Sequence, residues 1–224
     1  MPDVTDLQPA SLAEADVNDR KRTRIQARNE KRILDAAEQI FAEAGFRGAT
    51  IDMIAEAAAI SKPNLHYYFK TKNLLYVAVL RRILDDWVAP LRMLDVNGDA
   101  AQELEHYIRE KIEMSRKAPL ASRVFANEIL HGAPVLHTYL KTELRQVVEQ
   151  KAAVIRTWIE QGQLRPVDPV HLIFMIWAAT QHYADFQSQV TAIMRVRRLG
   201  RKHFQDIGDS IVTIILGGVL AKRP

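Results

Sequence analysis

The chain has 224 residues, of which 48% are apolar, 26% charged and 7% aromatic, a composition typical of a globular protein of one or two domains. It contains no cysteine, which excludes disulfides, thiolate metal sites and a cysteine nucleophile. The net charge of +4 is unevenly distributed: residues 1–19 carry five acidic and no basic residues, whereas residues 20–32 carry seven basic residues and one acidic residue. No apolar run approaches the roughly 18 residues of a membrane span, and the acidic N-terminus is unlike a signal peptide. We therefore expect a cytoplasmic protein that makes no membrane contact.

The sequence pattern of residues 1–90 predicts a tail followed by helices. Residues 1–19 lack periodicity and are rich in Asp, Ala and Pro, which predicts a disordered acidic tail. From Arg24 onward, apolar residues recur at helical spacing until Gly45, a residue type that ends helices. Three helices are expected after Gly45, and the last and longest of them is expected to stop near Pro90. Side-chain oxygens that can cap the three helices after Gly45 stand at Thr50, Ser61 and Thr71.

The rest of the chain repeats the helical pattern, with prolines at several junctions. No stretch alternates apolar and polar residues as a half-buried strand would. The fold class is therefore predicted to be all-α. The further helices are expected at 100–116, 119–131, 135–161, 169–187 and 204–221.

Residues 50–69 read TIDMIAEAAAISKPNLHYYF, the pattern of a helix-turn-helix. Small residues lie where two short helices must cross, and Ala55 stands at the crossing itself. The second helix presents short polar, basic and aromatic side chains between apolar anchors, which suits contact with base edges and phosphates. Any small three-helix bundle could show the same pattern, so spacing alone leaves that structural interpretation open. The exposed positions of the second helix are Lys62, Asn64, His66 and Tyr67.

Residues 33–80 resemble the N-terminal domain of TetR/AcrR-family transcriptional repressors. The resemblance rests on an Ala-x-x-x-Phe-x-x-x-Gly-Phe segment over residues 37–46 and on Ser-Lys-x-x-Leu-x-x-Tyr-Phe-x-x-Lys over residues 61–72. It implies a helix-turn-helix domain with a basic arm over residues 20–72, and a ligand-binding and dimerisation domain over residues 73–224. It also implies phosphate contacts for Thr50, Tyr68 and Lys72, and contacts to bases or flanking phosphates for Lys62, Asn64, His66 and Tyr67.

The sequence departs from the family pattern at three points. Ala59 occupies the turn position where glycine is usual, which costs about 1 kcal/mol if its φ is positive. Pro63 follows Lys62, and a proline there supplies no N–H to a phosphate. The aromatic pair is His66-Tyr67 in place of the common Tyr-His. These departures leave the operator sequence open.

The predicted helix 169–187 is apolar on nearly every face and is therefore expected to be buried. Trp177 and Gln181 fall on one face of it, so the Gln181 amide needs a partner in an apolar environment. That partner is either a neighbouring backbone group or a second subunit, or it is the lactam edge of a small flat ligand stacked on Trp177.

Residues 74–91, 122–136 and 168–186 resemble regulators of pyrimidine utilisation within the same family. The resemblance runs over about residues 33–190 and implies an effector pocket for uracil or thymine. Asn127 departs from these relatives, which have an apolar residue there. The ligand-binding residues implied are Trp177, Gln181, Trp87, Phe125 and Asn127.

Other kinds of site find little support in the sequence. The seven histidines form no compact zinc set, no hydrolase motif surrounds Ser115 or Ser122, and Gly217-Gly218 lies in an apolar helix and not in a phosphate-binding loop. We therefore expect no metal, no cofactor and no enzymatic activity. Residues 195–202 form a second basic cluster, which we interpret as a solvated loop. The alternative function is a helical ligand-binding or scaffold module that does not bind DNA specifically.

The family resemblance further implies a homodimer formed by helices near 169–187 and 204–221. A two-fold dimer would place one recognition helix in each of two major grooves, so the expected partner is double-stranded DNA with a pseudo-palindromic operator. Ligand binding would tilt the helix over residues 72–94 and weaken DNA binding. The expected function is thus a ligand-responsive transcriptional repressor.

Overall fold

The computed structural model describes residues 10–221, with side chains from residue 24 onward. Within this range the protein is all-α, as predicted, and its only strand-like feature is an isolated bridge between Leu164 and Leu220. No helix in the described part of the chain combines the length and apolarity needed to cross a bilayer. The elements are α1 (Ala10–Gly48), α2 (Ile51–Ala57), α3 (Lys62–Tyr68), α4 (Lys72–Arg92), α5 (Ala100–Lys117), α6 (Pro119–Leu130), α7 (His137–Tyr139), a π-helical segment (Leu140–Leu144), α8 (Arg145–Glu160), α9 (Pro169–Asp185), α10 (Gln187–Met194) and α11 (Arg201–Val219).

The chain divides into two compact units, Met1–Tyr76 and Val77–Pro224, which we call unit 1 and unit 2. Helix α4 contributes its first residues to unit 1 and the remainder to unit 2. Unit 1 is built from α1, α2 and α3, with Ile33, Phe41 and Leu65 fully buried. These three helices form the predicted helix-turn-helix region.

The helix boundaries of unit 1 follow the predicted signals. The Thr50 and Ser61 hydroxyls accept hydrogen bonds from Met53 N and Asn64 N, which caps α2 and α3 as predicted. Gly45 interrupts the helical backbone of α1 with a φ of 67°, a conformation that favours glycine. The Thr71 hydroxyl likewise accepts from Leu74 N at the start of α4.

In unit 2, α5 is the central helix and packs against both α9 and α11, while α6 and α8 pack against α9. Its buried stripe includes Leu104, Tyr107 and Ile108, and the fully buried Trp158 of α8 joins the same core. The indole N–H of Trp158 donates to the carbonyl of Val96 at 3.2 Å, so even this ring leaves no unsatisfied donor.

The structure corrects several predicted boundaries. Helix α1 begins at Ala10, although residues 1–19 were predicted to be disordered; residues 10–19 contain no glycine or proline, so nothing in them breaks a helix. The remainder of that tail, residues 1–9, lies outside the described residues. Helix α4 continues two residues past Pro90, although the proline has no N–H to donate to the preceding turn.

Two further differences lie in unit 2. The helix predicted over residues 135–161 contains the π-helical segment Leu140–Leu144, and α10 (Gln187–Met194) was not predicted at all. Helix α10 is short and follows α9 after one residue, Phe186, so its periodicity merges with that of α9 in the sequence. The cluster over residues 195–202 is a connecting segment only up to Gly200, because α11 starts at Arg201.

Candidate DNA-binding surface and effector cavity

Helix α3 is fixed by two anchors and leaves its opposite side open. Leu65 and Phe69 are buried against unit 1, while the side chains between them point outward. Tyr67 is 62% exposed, which is unusual for so large an apolar ring and fits a contact with a partner. Of the residues predicted to contact DNA, the exposed ones are Thr50, Lys62, Asn64 and Tyr67, and the half-buried ones are His66, Tyr68 and Lys72.

The turn between α2 and α3 is strained and held from outside. Ala59 has a φ of 50°, so the alanine at the usual glycine position does adopt the left-handed conformation. Arg32 of α1 donates to the carbonyl of Ala58 and, at 3.1 Å, to that of Ala59. Arg32 belongs to the basic run over residues 20–32, and in the structure its guanidinium holds this turn.

Several predicted DNA contacts also have partners within unit 1. The Lys72 ammonium donates to the carbonyls of Phe46 and Ala49, both at 2.8 Å, which satisfies acceptors at the end of α1. Tyr68 Oη accepts from the Asn29 amide at 3.3 Å. Lys62 forms an exposed ion pair with Asp52 at 2.9 Å. The Lys72 ammonium keeps one N–H, so a phosphate contact there stays a prediction beside its structural role.

Unit 2 encloses a small, mostly apolar cavity between α4, α5, α6 and α9, which we call the effector cavity. Its volume is about 40 Å³. Four of the five predicted ligand-binding residues meet there although they come from three helices: Trp87, Phe125, Trp177 and Gln181. The other residues that line the cavity are Leu84, Val88, Lys111 and Leu144.

Asn127, the fifth predicted ligand-binding residue, does not line the cavity. Phe125 lies on the cavity side of α6, and a residue two positions later points about 200° around a helix, away from that side. The structural contact at this residue is made by its backbone, whose carbonyl accepts from His131 N at 3.2 Å. Its inclusion in the site is therefore wrong on geometric grounds.

Lys111 is the cavity residue that the sequence analysis missed. Its side chain is only 2% exposed, and its ammonium lies 4.0 Å from the centre of the Trp87 ring, a favourable cation–π distance. It makes no hydrogen bond to any described residue. Burial lowers the pKa of Lys111 from 10.5 to about 7, an effect only partly offset by Asp185. A signal was present: Leu104, Ile108 and Lys111 follow one helical stripe, so a lysine stands where the pattern requires an apolar residue.

Hydrogen bonds fix the walls of the cavity. The Trp177 indole N–H donates to Tyr107 Oη at 2.6 Å, which sets the orientation of the ring, and burial raises the pKa of Tyr107 so that it stays protonated. About two turns further along α9, Ser122 Oγ donates to the Asp185 carboxylate, whose pKa is raised by burial. By contrast, the half-buried Gln181 amide makes no hydrogen bond to any described residue.

Helix α9 is not buried on every side, contrary to prediction. Met175 is 61% and Phe174 47% exposed, and with Ile214 of α11, which is 73% exposed, they give the α9–α11 surface an apolar character. Between the two helices runs an open apolar groove of about 860 Å³. An apolar patch of this kind on a folded chain marks an interaction surface.

No metal site competes with these surfaces in the part of the chain that the structure describes, since no three His, Asp or Glu side chains come together there.

Comparisons with known proteins agree with both units. Residues 33–79 match the family described as "Bacterial regulatory proteins, tetR family", and residues 80–222 match "YcdC-like protein, C-terminal region". The chain is 44% identical over 199 residues to the HTH-type transcriptional regulator RutR of Escherichia coli (strain K12), which covers 89% of this chain and 94% of that protein. It is 28% identical over 158 residues to the HTH-type transcriptional repressor KstR2 of Rhodococcus jostii, 67% of this chain and 78% of that protein.

Solved structures share the fold. The ketosteroid transcriptional regulator KstR2 of Mycobacterium tuberculosis aligns with a TM-score of 0.69 at 22% identity, over 86% of this chain and 95% of that one. AibR in complex with isovaleryl coenzyme A and operator DNA aligns with a TM-score of 0.64 at 18% identity, over 83% and 97% of the two chains.

The chain belongs to the TetR family of DNA-binding transcriptional regulators. Members of this family bind operator DNA and small-molecule ligands and form dimers, and they are not enzymes. Family membership thus decides between the two functions that the sequence left open, in favour of a DNA-binding regulator over a helical module without specific DNA binding.

Proposed function

We propose that this protein is a homodimeric repressor that reads operator DNA with α3 and releases it when uracil or thymine occupies the effector cavity. The observation that carries the proposal is the position of two polar side chains, Lys111 and Gln181, at the cavity. Both polar side chains border an otherwise aromatic and aliphatic cavity, and neither has a hydrogen-bond partner among the described residues. Buried polar groups without partners are costly, so a polar ligand that supplies them is favoured.

A pyrimidine base has the matching chemistry. Its lactam edge offers one N–H donor and one carbonyl acceptor side by side, which the Gln181 amide can complement with its own acceptor and donor. A ring carbonyl would accept from the Lys111 ammonium, and Trp87, Phe125 and Trp177 supply faces for a flat ring. The resemblance to regulators of pyrimidine utilisation supports the same ligands.

The size of the cavity favours a small ligand. Its 40 Å³ corresponds to about three water molecules at roughly 10–15 Å³ each on this measure. A single ring therefore needs a modest outward shift of the lining, and Leu144 is placed to allow it: it is half-buried and ends the π-helical segment. Irregular turns of this kind are frequent at functional sites. A fused-ring ligand would need a much larger displacement.

In unit 1, α3 is the element that enters the major groove. Lys62, Asn64 and Tyr67 are exposed on either side of the buried anchor Leu65, so side chains that can reach base edges and phosphates are accessible, with Lys62 held only by its exposed ion pair to Asp52. Thr50 caps the N-terminus of α2 and is exposed, in keeping with a contact to the DNA phosphate backbone.

Dimerisation proceeds through the α9–α11 groove. The groove and its exposed rim residues Met175 and Ile214 form an apolar surface, and a second copy can cover it because a two-fold axis brings the same surface from both chains together. Two α3 helices then address two half-sites of one operator.

Effector and DNA are coupled through the protein. If the effector favours a conformation in which the protein binds DNA less well, then the effector lowers the affinity for DNA and DNA lowers the affinity for the effector by the same factor. The coupling free energy is typically 1–3 kcal/mol. Helix α4 belongs to both units and lines the cavity with Trp87, so it is the element through which we expect the change to pass.

Isothermal titration calorimetry with uracil, thymine and adenine tests the proposal. We expect saturable heat with uracil or thymine and none with adenine, which is too large for the cavity. A parallel titration of fluorescent operator DNA, obtained by selection from random sequences, should show release by the same base. Wild-type protein that binds its operator but gives no heat with either pyrimidine would end the pyrimidine proposal and leave the DNA-binding assignment standing.

A further inference from the structure

A second pocket lies in unit 2 and is lined by no acidic residue. It has a volume of about 260 Å³ and is formed by the end of α5, the starts of α6, α10 and α11, and one turn of α9. Three arginines border it, Arg116, Arg198 and Arg201, together with the rings of Tyr183 and Phe204. None of these residues belongs to the effector cavity.

Two of the arginines are free to take a ligand. Arg116 is held in place by a bidentate ion pair with Glu113, at 2.7 and 2.6 Å. Arg198 and Arg201 are exposed and form no ion pair with any described carboxylate. Of the carboxylates on the neighbouring helices, Glu113 is paired with Arg116 and Asp206 with Lys202, while Glu110 lines an adjacent pocket together with Arg201. Arg198 and Arg201 thus bring positive charge to the mouth of the pocket.

The backbone adds hydrogen-bond donors to the charged side chains of the pocket. The helices α6, α10 and α11 all start at the pocket, and none of their N-cap residues, Ala118, Phe186 and Gly200, provides a side-chain oxygen as a cap. Elsewhere in the chain, α2, α3, α5 and α9 are capped by Thr50, Ser61, Asp99 and Asp168. Uncapped first turns leave N–H groups available for an anion, while the C-terminal ends of α5 and α9 at the same pocket offset the dipoles of the helices that start there.

We propose that this pocket is a binding site for a small molecule carrying a phosphate group, such as a phosphate monoester. The planar guanidinium groups of Arg198 and Arg201 match the oxygens of phosphate in geometry and charge. Tyr183 and Phe204 can pack against the organic part of the ligand. The site is separate from the effector cavity and would give the regulator a second metabolic input.

The structure provides a matched control for the test. Arg195 and Arg197 belong to the same exposed basic segment but do not line the pocket. The double variants Arg198→Gln/Arg201→Gln and Arg195→Gln/Arg197→Gln therefore lose equal charge, and only the first loses pocket residues. All four arginines are exposed, so both variants should fold, which circular dichroism checks.

The measurement is calorimetric titration with inorganic phosphate and with phenyl phosphate at constant ionic strength, with chloride as the reference anion. We expect wild type and the Arg195/Arg197 variant to bind both probes, and phenyl phosphate several-fold more tightly because its ring contacts Tyr183 and Phe204. The Arg198/Arg201 variant should bind at least tenfold more weakly, while uracil binding stays unchanged.

Three results would overturn the proposal. Wild type could show no more heat with either probe than with chloride. The two double variants could lose affinity equally, which would mean diffuse charge attraction. The Arg198/Arg201 variant could keep its affinity for both probes and lose only part of the salt dependence of DNA binding, which would assign the arginines to the DNA backbone.

Discussion

The residues expected to contact a partner are close together in the sequence in unit 1 and far apart in unit 2. In unit 1, the residues offered to the partner lie within a few positions of one another on the exposed side of α3, and folding only has to hold that helix by Leu65 and Phe69. In unit 2, the cavity collects Trp87, Lys111 and Trp177 from helices far apart in the chain. A surface of local residues can be identified from a motif, whereas a cavity exists only once the fold does.

The polar groups differ in the same way. Lys62 in unit 1 is solvated and paired with Asp52, so it costs little when no partner is bound. Lys111 in unit 2 is buried without a hydrogen-bond partner among the described residues, and burial lowers its pKa. The DNA-binding surface is therefore stable in its empty form, whereas the cavity retains a cost that a ligand can relieve. Four predictions test this contrast.

The largest effect is expected at the α9–α11 groove, a third surface that resembles neither of the other two. Ile214 is 73% exposed in the single chain, so Ile214→Glu should leave the fold intact and place a carboxylate in the dimer interface. An unpaired buried charge is costly enough to weaken association more than 100-fold. Sedimentation equilibrium at micromolar concentration should find monomers.

Leu130→Glu is the control, because Leu130 is equally apolar and 79% exposed but lies at the end of α6, outside the groove. The Leu130→Glu variant should remain dimeric. If the Ile214→Glu variant also sediments as a dimer, α11 does not contribute to the interface.

A second prediction concerns the stability cost of Lys111. Below pH 7 its amine is charged in both the folded and unfolded protein, and the folded state bears the full cost of burying that charge. Between pH 7 and 10.5 the unfolded chain binds the extra proton, so stability rises with pH by up to about 1.4 kcal/mol per unit. Lys111→Met should therefore raise the free energy of unfolding on the order of 3 kcal/mol at pH 6, and by less at pH 9.

Urea unfolding at the two pH values measures this difference, with Lys117→Met on the exposed side of the same helix as the control. The control should show no pH-dependent gain. A Lys111 variant that is less stable than wild type at pH 6 would mean that the ammonium is satisfied in the folded protein and has no unmet need for a ligand.

What the sequence could predict follows the same division. The caps at Thr50 and Ser61 depend on neighbouring residues, and the structure has them as predicted; the φ of Ala59, which the sequence left open, is positive. The cavity was predicted in part, because the spacing of Trp177 and Gln181 places them on one face of α9. Lys111 was missed because its role depends on what packs over it, and Asn127 was misplaced because a resemblance carries no helix phase.

A third prediction separates a ligand-binding Gln181 from a structural one. Gln181→Leu removes the amide that would pair with a lactam edge, and each unpaired donor or acceptor costs about 1–3 kcal/mol. Uracil affinity should therefore fall roughly tenfold or more, while operator binding without ligand persists. Folding should change little, because leucine is close in size and removes a polar group from an apolar cavity.

Calorimetry and thermal unfolding on wild type, Gln181→Leu and the exposed α8 variant Gln146→Leu decide the matter. A lower melting temperature with an intact uracil response would show that Gln181 serves the structure of unit 2 instead of its ligand. Loss of response in both variants would point to a general defect.

The smallest expected effect lies in the turn of unit 1 and tests whether the recognition surface carries any cost of its own. Ala59 has a φ of 50°, which costs a non-glycine residue about 1 kcal/mol. Arg32 donates hydrogen bonds to the carbonyls of Ala58 and Ala59. Ala59→Gly should therefore stabilise the protein by somewhat less than about 1 kcal/mol, since glycine also makes the unfolded chain more flexible. Ala57→Gly, two residues earlier in the last turn of α2, makes the same chemical change in a helical backbone and should destabilise by about 0.5–1 kcal/mol. Chemical denaturation of the two variants therefore gives shifts of opposite sign. Operator affinity should not change for Ala59→Gly, because glycine can keep the positive φ of the turn and adds no contact. Shifts of the same sign would mean that the Arg32 hydrogen bonds, and not the residue type, determine the conformation of the turn.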